Sequence, residues 1–190
     1  MKPTASELAA AHGRSIADVV GENLDVLFCG INPSLYSAAV GRHFARPGNR
    51  FWPALHLAGF TPSLFSSADQ HLLPSLGYGI TNVVARATAA AAELETEEIR
   101  AGARSLRRRV LRLRPRVLAV LGIGAYRTGF RDKGATLGRQ PEAIGTTIVW
   151  VLPNPSGLNA HYGLADLARL FESLHDGTRP RLRAATRERE

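Results

Sequence analysis

Two Asn-Pro dipeptides are the places where this chain could do chemistry. Asn32 stands in GINPS and Asn154 in PNPSGLN, and each follows a short apolar run. A side-chain amide donates and accepts hydrogen bonds at once, so it can hold a water or read a planar edge, but it is no strong base. Asn-Pro also favours turn initiation, so two stiff turns explain the same letters. If the two runs are neighbouring strands, both amides point at one crevice. Phe44 lies in a loop rich in Gly and Pro, where no packing period calls for an aromatic. It is either a platform for a flat ligand or an anchor for the loop. Leu158, between Gly157 and Asn159, is an apolar side chain among small and polar neighbours. A wedge that fills the gap left by a displaced base has this form, and so does a buried loop leucine.

Other motifs carry less. GIGAYRTG (122–129) has the spacing G-x-G-x-x-x-x-G and follows the third apolar run, so it reads as a tight strand-to-helix turn and not a dinucleotide loop. The six histidines show no metal-ligand spacing, so no metal and no cofactor is expected. Ser156 is not in a G-x-S-x-G elbow. The single cysteine, Cys29, excludes an intrachain disulfide framework and reads as a small buried strand residue.

The elements that must position these residues alternate. Apolar runs at 24–30, 79–84, 117–122 and 147–153 read as strands, the second either a strand or its exit loop. Helices are expected at 51–58, capped by Asn49, in a long segment capped by Thr96, and in a last segment from Leu164 to Leu174. In the long helix Glu97 and Glu98 come first and arginines last, in agreement with the helix dipole. Ile99, Leu106, Val110 and Leu113 share one of its faces, and Arg104, Arg108 and Arg112 another. Strands alternating with helices imply an α/β fold: a three-layer α/β/α sandwich on a short, mainly parallel sheet of four to five strands. Ligands of such folds sit beyond the carboxyl ends of the strands, where both Asn-Pro turns stand. Residues 1–22 are expected to be a helical or partly ordered extension, 23–175 the working domain, and 176–190 a basic disordered tail.

The 190 residues, 45% hydrophobic, suit one globular domain. No stretch approaches the roughly 18 apolar residues of a membrane span, and no secretory h-region opens the chain, so a cytoplasmic protein without a membrane partner is expected. The formal charge of +8 suits a polyanion such as nucleic acid. No long apolar face is left over, which favours a monomer.

The segments 26–61, 77–88, 117–126 and 148–159 together resemble the mismatch-specific uracil/thymine-DNA glycosylases, a branch of the uracil-DNA glycosylase superfamily. GINPS and NPSGL at this separation, both after strands, carry the resemblance, which covers about residues 24–175. It implies hydrolysis of the N-glycosidic bond of uracil, and in some members thymine or damaged pyrimidines, in double-stranded DNA, with no cofactor and no metal. By position, Asn32 would place the attacking water, and Phe44 would stack on the extruded base. Ile31 and Phe44 would offer backbone groups to its edge, with Ser37 and Asn154 lining the pocket. Ser156, Gly157, Leu158 and Asn159 would form the insertion loop. Asn159-Ala160 stands where a bacterial member of the family has Ser-Arg, which removes an arginine from that loop.

An amide suffices for such a reaction because uracil leaves as a delocalised anion. Ordinary glycosidases need a carboxylate pair for an alkoxide leaving group. Here a held water can meet an oxocarbenium-like sugar while backbone donors stabilise the departing base. On this reading Asn32→Asp, by supplying a base, should retain or raise activity. Three other readings compete. A broad uracil glycosylase would act on single strands as well, a non-catalytic DNA-binding protein would release no base, and a nucleotide hydrolase would be stabilised by free nucleotide.

Overall fold

Why the apolar runs become strands is visible in a computed structural model, which describes residues 2–178. The strands are β1 (Val26–Gly30), β2 (Tyr78–Asn82), β3 (Val117–Leu121), β4 (Gly138–Ile144) and β5 (Thr147–Leu152). They form one sheet in the order β2-β1-β3-β5-β4, parallel except for the antiparallel β4–β5 pair. The helices are α1 (Ala5–Ala10), α2 (Leu35–Val40), α3 (Phe51–Leu57), α4 (Thr96–Leu113), α5 (Ile123–Gly129) and α6 (Leu164–Thr178).

Every residue of β1 and β3 is buried, as uninterrupted apolar runs require when both sheet faces are covered. Side chains alternate between two cores. Val26, Phe28, Val117, Ala119 and Leu121 join α3 and α6 on one face. Leu27, Cys29, Leu118, Val120, Val149 and Val151 join α4 and α5 on the other. Phe28 organises the first core, with ring centroids 5.4 Å from Phe51, 5.3 Å from Phe60 and 6.0 Å from Phe171. Truncating such a ring costs about 3–5 kcal/mol. Burial raises the Cys29 thiol far above its ordinary value, so it stays a protonated core residue.

Several expectations shift. Asn49 Oδ1 accepts from Phe51 N–H at 2.9 Å, but it stands one residue before the cap position of α3, which Arg50 takes. Thr96 is the first helical residue of α4, and Glu95 takes the cap position without a side-chain bond. The chain from 35 to 40, expected as loop, is α2, capped by Ser34 and closed by Gly41. A 3₁₀ segment, Ser67–Leu76, precedes β2. α6 reaches Thr178 and so takes in the first three residues of the tail expected from 176, and the rest of that tail lies outside the described residues. The stretch before β1 is tied to the sheet. Val19 and Ile80 exchange backbone bonds of 2.9 and 2.7 Å at the outer edge of β2. Beside them, Asp18 accepts from Thr81 Oγ1 at 2.7 Å and pairs with Arg109 Nε at 3.1 Å.

Candidate active site

The exits of β1, β2, β3 and β5 enclose a cleft of about 350 Å³. Ile31, Asn32, Ser37, Phe44, Asn154, Ser156, Leu158 and Asn159 all line it, so the two Asn-Pro turns share one crevice. Gly157 does not line it. A Cβ there would meet Gly48 O at 2.5 Å, so this glycine lets the loop after β5 lie on the loop before α3.

Asn32 is held by its amide nitrogen. Nδ2 donates to Arg86 O at 3.0 Å and to Thr88 Oγ1 at 2.7 Å. Arg86 O can only accept, which fixes which end of the amide faces it. Thr88 spends its own hydroxyl proton on Ala90 O at 2.8 Å, and so offers Asn32 a lone pair. Both amide protons are used, and Oδ1 is left as the acceptor that a water can donate to. A carboxylate at this position would set an oxygen against Arg86 O. The Asn32→Asp expectation therefore reverses: activity should fall.

Phe44 anchors its loop. One face stacks on Phe51 at 4.1 Å and 24°, and the ring also borders the cleft. Its φ of 52° lies in the left-handed region. Such strain costs on the order of 1–3 kcal/mol and persists only when neighbours over-determine it. They do: His43 N–H donates to Gln70 Oε1 at 2.8 Å, and Ala45 N–H to the buried Ser37 Oγ at 3.1 Å.

His43 and Asn82 form a pair that motif reading missed. His43 is buried, which lowers its pKa and keeps the ring neutral, against an opposing bond to Ala17 O. Its Nε2 lies 3.0 Å from Ala17 O, which can only accept, so Nε2 carries the proton. Nδ1 is then an acceptor, and Asn82 Nδ2 donates to it over 3.4 Å. This turns Asn82 Oδ1 toward Gly30, where a Cβ would sit 2.5 Å away, so only glycine leaves room for that oxygen. Asn82 also borders the cleft. The signal available in the sequence was position alone: Asn82 ends β2 level with Gly30 of β1.

Arg50 was missed as well. Its guanidinium donates to Ser156 O at 2.7 Å, Asn159 O at 2.8 Å and Tyr162 O, and its backbone N–H donates to Pro155 O at 2.9 Å. One arginine thus pins the loop after β5 through four carbonyls. Within that loop Asn154 Oδ1 accepts from Ser156 N–H at 3.0 Å. Asn159 is engaged at both ends, Nδ2 with Asn154 O at 3.0 Å and Oδ1 with His161 N–H at 3.1 Å. Leu158 is 72% exposed at the loop tip, so it is not a buried loop leucine.

A profile of the Uracil DNA glycosylase superfamily matches residues 17–175. Among solved structures, the chain resembles the solution NMR structure of a candidate uracil DNA glycosylase from Methanosarcina acetivorans, at 21% identity and a TM-score of 0.56. That likeness covers 86% of this chain and 98% of the other, and it speaks for the fold. The profile takes in both Asn-Pro turns, Phe44, Asn82 and the Leu158 loop: the chain belongs to the Uracil DNA glycosylase superfamily, a membership that supports DNA glycosylase activity.

Proposed function

We propose that this protein hydrolyses the N-glycosidic bond of uracil flipped out of mismatched duplex DNA, leaving an abasic site. The observation that carries this is the Asn32 amide, anchored through Nδ2 with Oδ1 left over, in one cleft with the Phe44 ring. Oδ1 accepts a hydrogen bond from a water and orients it toward C1′ of the flipped sugar. Phe44, backed by Phe51, carries the base on its open face. Ile31 O already accepts from Val84 N–H at 2.9 Å, so Ile31 serves the base through its own N–H. Uracil presents an N3–H donor beside an O4 acceptor. Asn82, held by His43, meets that edge with Oδ1 accepting and the second Nδ2 proton donating. Cytosine, with an acceptor at N3 and a donor at N4, faces the same amide with like groups opposed. Leu158 enters the space that the base vacates. The base departs as an anion toward backbone donors, and the water proton goes to solvent.

A second reading, a uracil glycosylase of broad context, is favoured by one observation. Asn159 engages both ends of its amide inside its own loop, and Ala160 adds no side-chain donor, so these two side chains offer little to an orphaned guanine. The test uses labelled oligonucleotides with uracil opposite G, opposite A and in single strands, beside a G·T duplex. Alkali then cleaves wherever a base is lost. Cleavage confined to G·U supports the mismatch enzyme, and cleavage in every uracil context supports the broad one. No release from any of them, with duplex still bound, leaves a DNA-binding protein and overturns both.

A further inference from the structure

Away from the cleft, a second concavity opens between the first turn of α4 and the end of α5, about 520 Å³ in volume. It is lined by Thr96, Arg100, Arg127, Thr128, Arg131 and Lys133: four cations, two hydroxyl residues and no carboxylate. Four like charges in one hollow repel one another, so their collection there asks for an anion. The charges are poorly neutralised from within. Arg127 is fixed, but by a carbonyl: Nε and Nη2 both donate to Ala135 O, at 3.0 and 2.6 Å. Arg131 and Lys133 are exposed and make no side-chain hydrogen bond or close ion pair among the described residues, and the charge of Arg131, after that of Arg100, helps to hold the Glu97 carboxyl below its ordinary value. Arg100 gives Nη1 to Glu97, the one carboxylate bonded to this cluster. Its Nε is buried without any partner, one of two such side-chain atoms among the described residues. A buried donor in that state costs on the order of 1–3 kcal/mol until something accepts from it. Arg131 adds backbone strain, with φ at 59°. The positive end of the α4 dipole lies at the same rim, and Glu97 and Glu98 offset part of it.

We infer that this hollow is a phosphate site, separate from the base-binding cleft, in which Arg100, Arg127, Arg131 and Lys133 grip one tetrahedral oxyanion. Planar guanidinium groups suit phosphate oxygens in paired contacts, and the threonine hydroxyls fill the remaining lone pairs. Two sources share this chemistry, a DNA backbone phosphate beside the lesion and a free phosphate or phosphorylated small molecule. Only the first rests on the proposed glycosylase function.

The full chain is compared with Arg131→Asn/Lys133→Gln, where asparagine tolerates the left-handed backbone of position 131. Arg108→Gln/Arg112→Gln on the exposed face of α4 removes the same charge elsewhere and serves as control. In one arm, uracil-duplex affinity is measured across a salt series. A lost phosphate contact flattens the slope of log K against log [salt] by about 0.9. In the other, thermal midpoints are taken with inorganic phosphate against chloride of equal ionic strength. A slope lowered by about one in the pocket variant and not in the control identifies the DNA backbone. An unchanged slope, with phosphate stabilisation present in the wild type and lost in the variant, identifies a free phosphate. Neither effect, or equal effects in variant and control, overturns the site. Base release by the wild type at saturating DNA is read in parallel, so a failure of the glycosylase reading is recognised separately.

Discussion

The two Asn-Pro turns use one dipeptide in opposite senses. After β1, Asn32 spends its NH2 group on Arg86 O and Thr88 Oγ1 and keeps its carbonyl oxygen. After β5, Asn154 spends its carbonyl oxygen on Ser156 N–H, within its own turn. The partners of Asn32 lie more than fifty residues away and those of Asn154 two residues away. The first turn is therefore built by tertiary structure to present an acceptor, and the second is a local turn that shapes a loop. Water positioning needs the first arrangement, while loop presentation is satisfied by the second.

The largest test of that contrast sets Asn32→Ala beside Asn154→Ala. The first should slow single-turnover base release by at least about 100-fold, as misplacement of a reacting group does, with duplex affinity kept. The second should change it by only a few-fold. Equal losses in the two variants would abolish the distinction. Next, Asn32→Asp should fall roughly tenfold or more at neutral pH, since an oxygen would face Arg86 O without a proton between them. Its activity should recover as pH drops and the acid can donate. A rise in activity with pH would instead restore Asp as a general base. Smaller again, Arg50→Met should weaken duplex binding about tenfold through the loosened Leu158 loop while leaving the chemical step near wild type. Charged hydrogen bonds of this kind are worth about 1.5–3 kcal/mol. An unchanged dissociation constant would show that the second turn holds without its clamp.

The smallest effect concerns His43, on the Asn82 side of the cleft. Unfolded, its imidazole titrates near the ordinary value of about 6.5. Burial lowers that value in the fold. As pH falls, the unfolded chain takes the proton first. The stability from neutral His43 is whole above the unfolded value, and it declines below it until the lowered folded value is passed. His43→Gln should flatten that decline, read as urea midpoints at pH 7.5 and 5.5. Parallel declines in wild type and variant would remove His43 from the account.

How much of this was legible follows from the range of each signal. β1 and β3 announce themselves because a strand covered on both faces is apolar throughout. β4, GRQPEAI, does not: it is an outer strand, mostly exposed, with Pro141 inside a register shift. α2 was hidden because six residues between a Ser-led turn and Gly41 give no period to read. The Asn-Pro turns were legible as local chemistry. Which end of the Asn32 amide faces the cleft was not, because Arg86 and Thr88 decide it from far along the chain. Arg50 looked like one more arginine in a basic protein, and its bonds reach carbonyls more than a hundred residues away.

The segment Ala17–Val19 has a consequence beyond the site. β2 is an outermost strand of the sheet, and its outward N–H and C=O at Ile80 are taken by Val19. A bare strand edge is a template on which other chains can pair, and the apolar ITNVV sequence would suit such pairing. Asp18, locked to Thr81 and Arg109, keeps the cover in place. The few residues that fasten His43 and the β2 exit thus also guard the molecule against aggregation. Trimming the chain past Val19 should make it self-associate as well as loosen the His43–Asn82 side of the cleft.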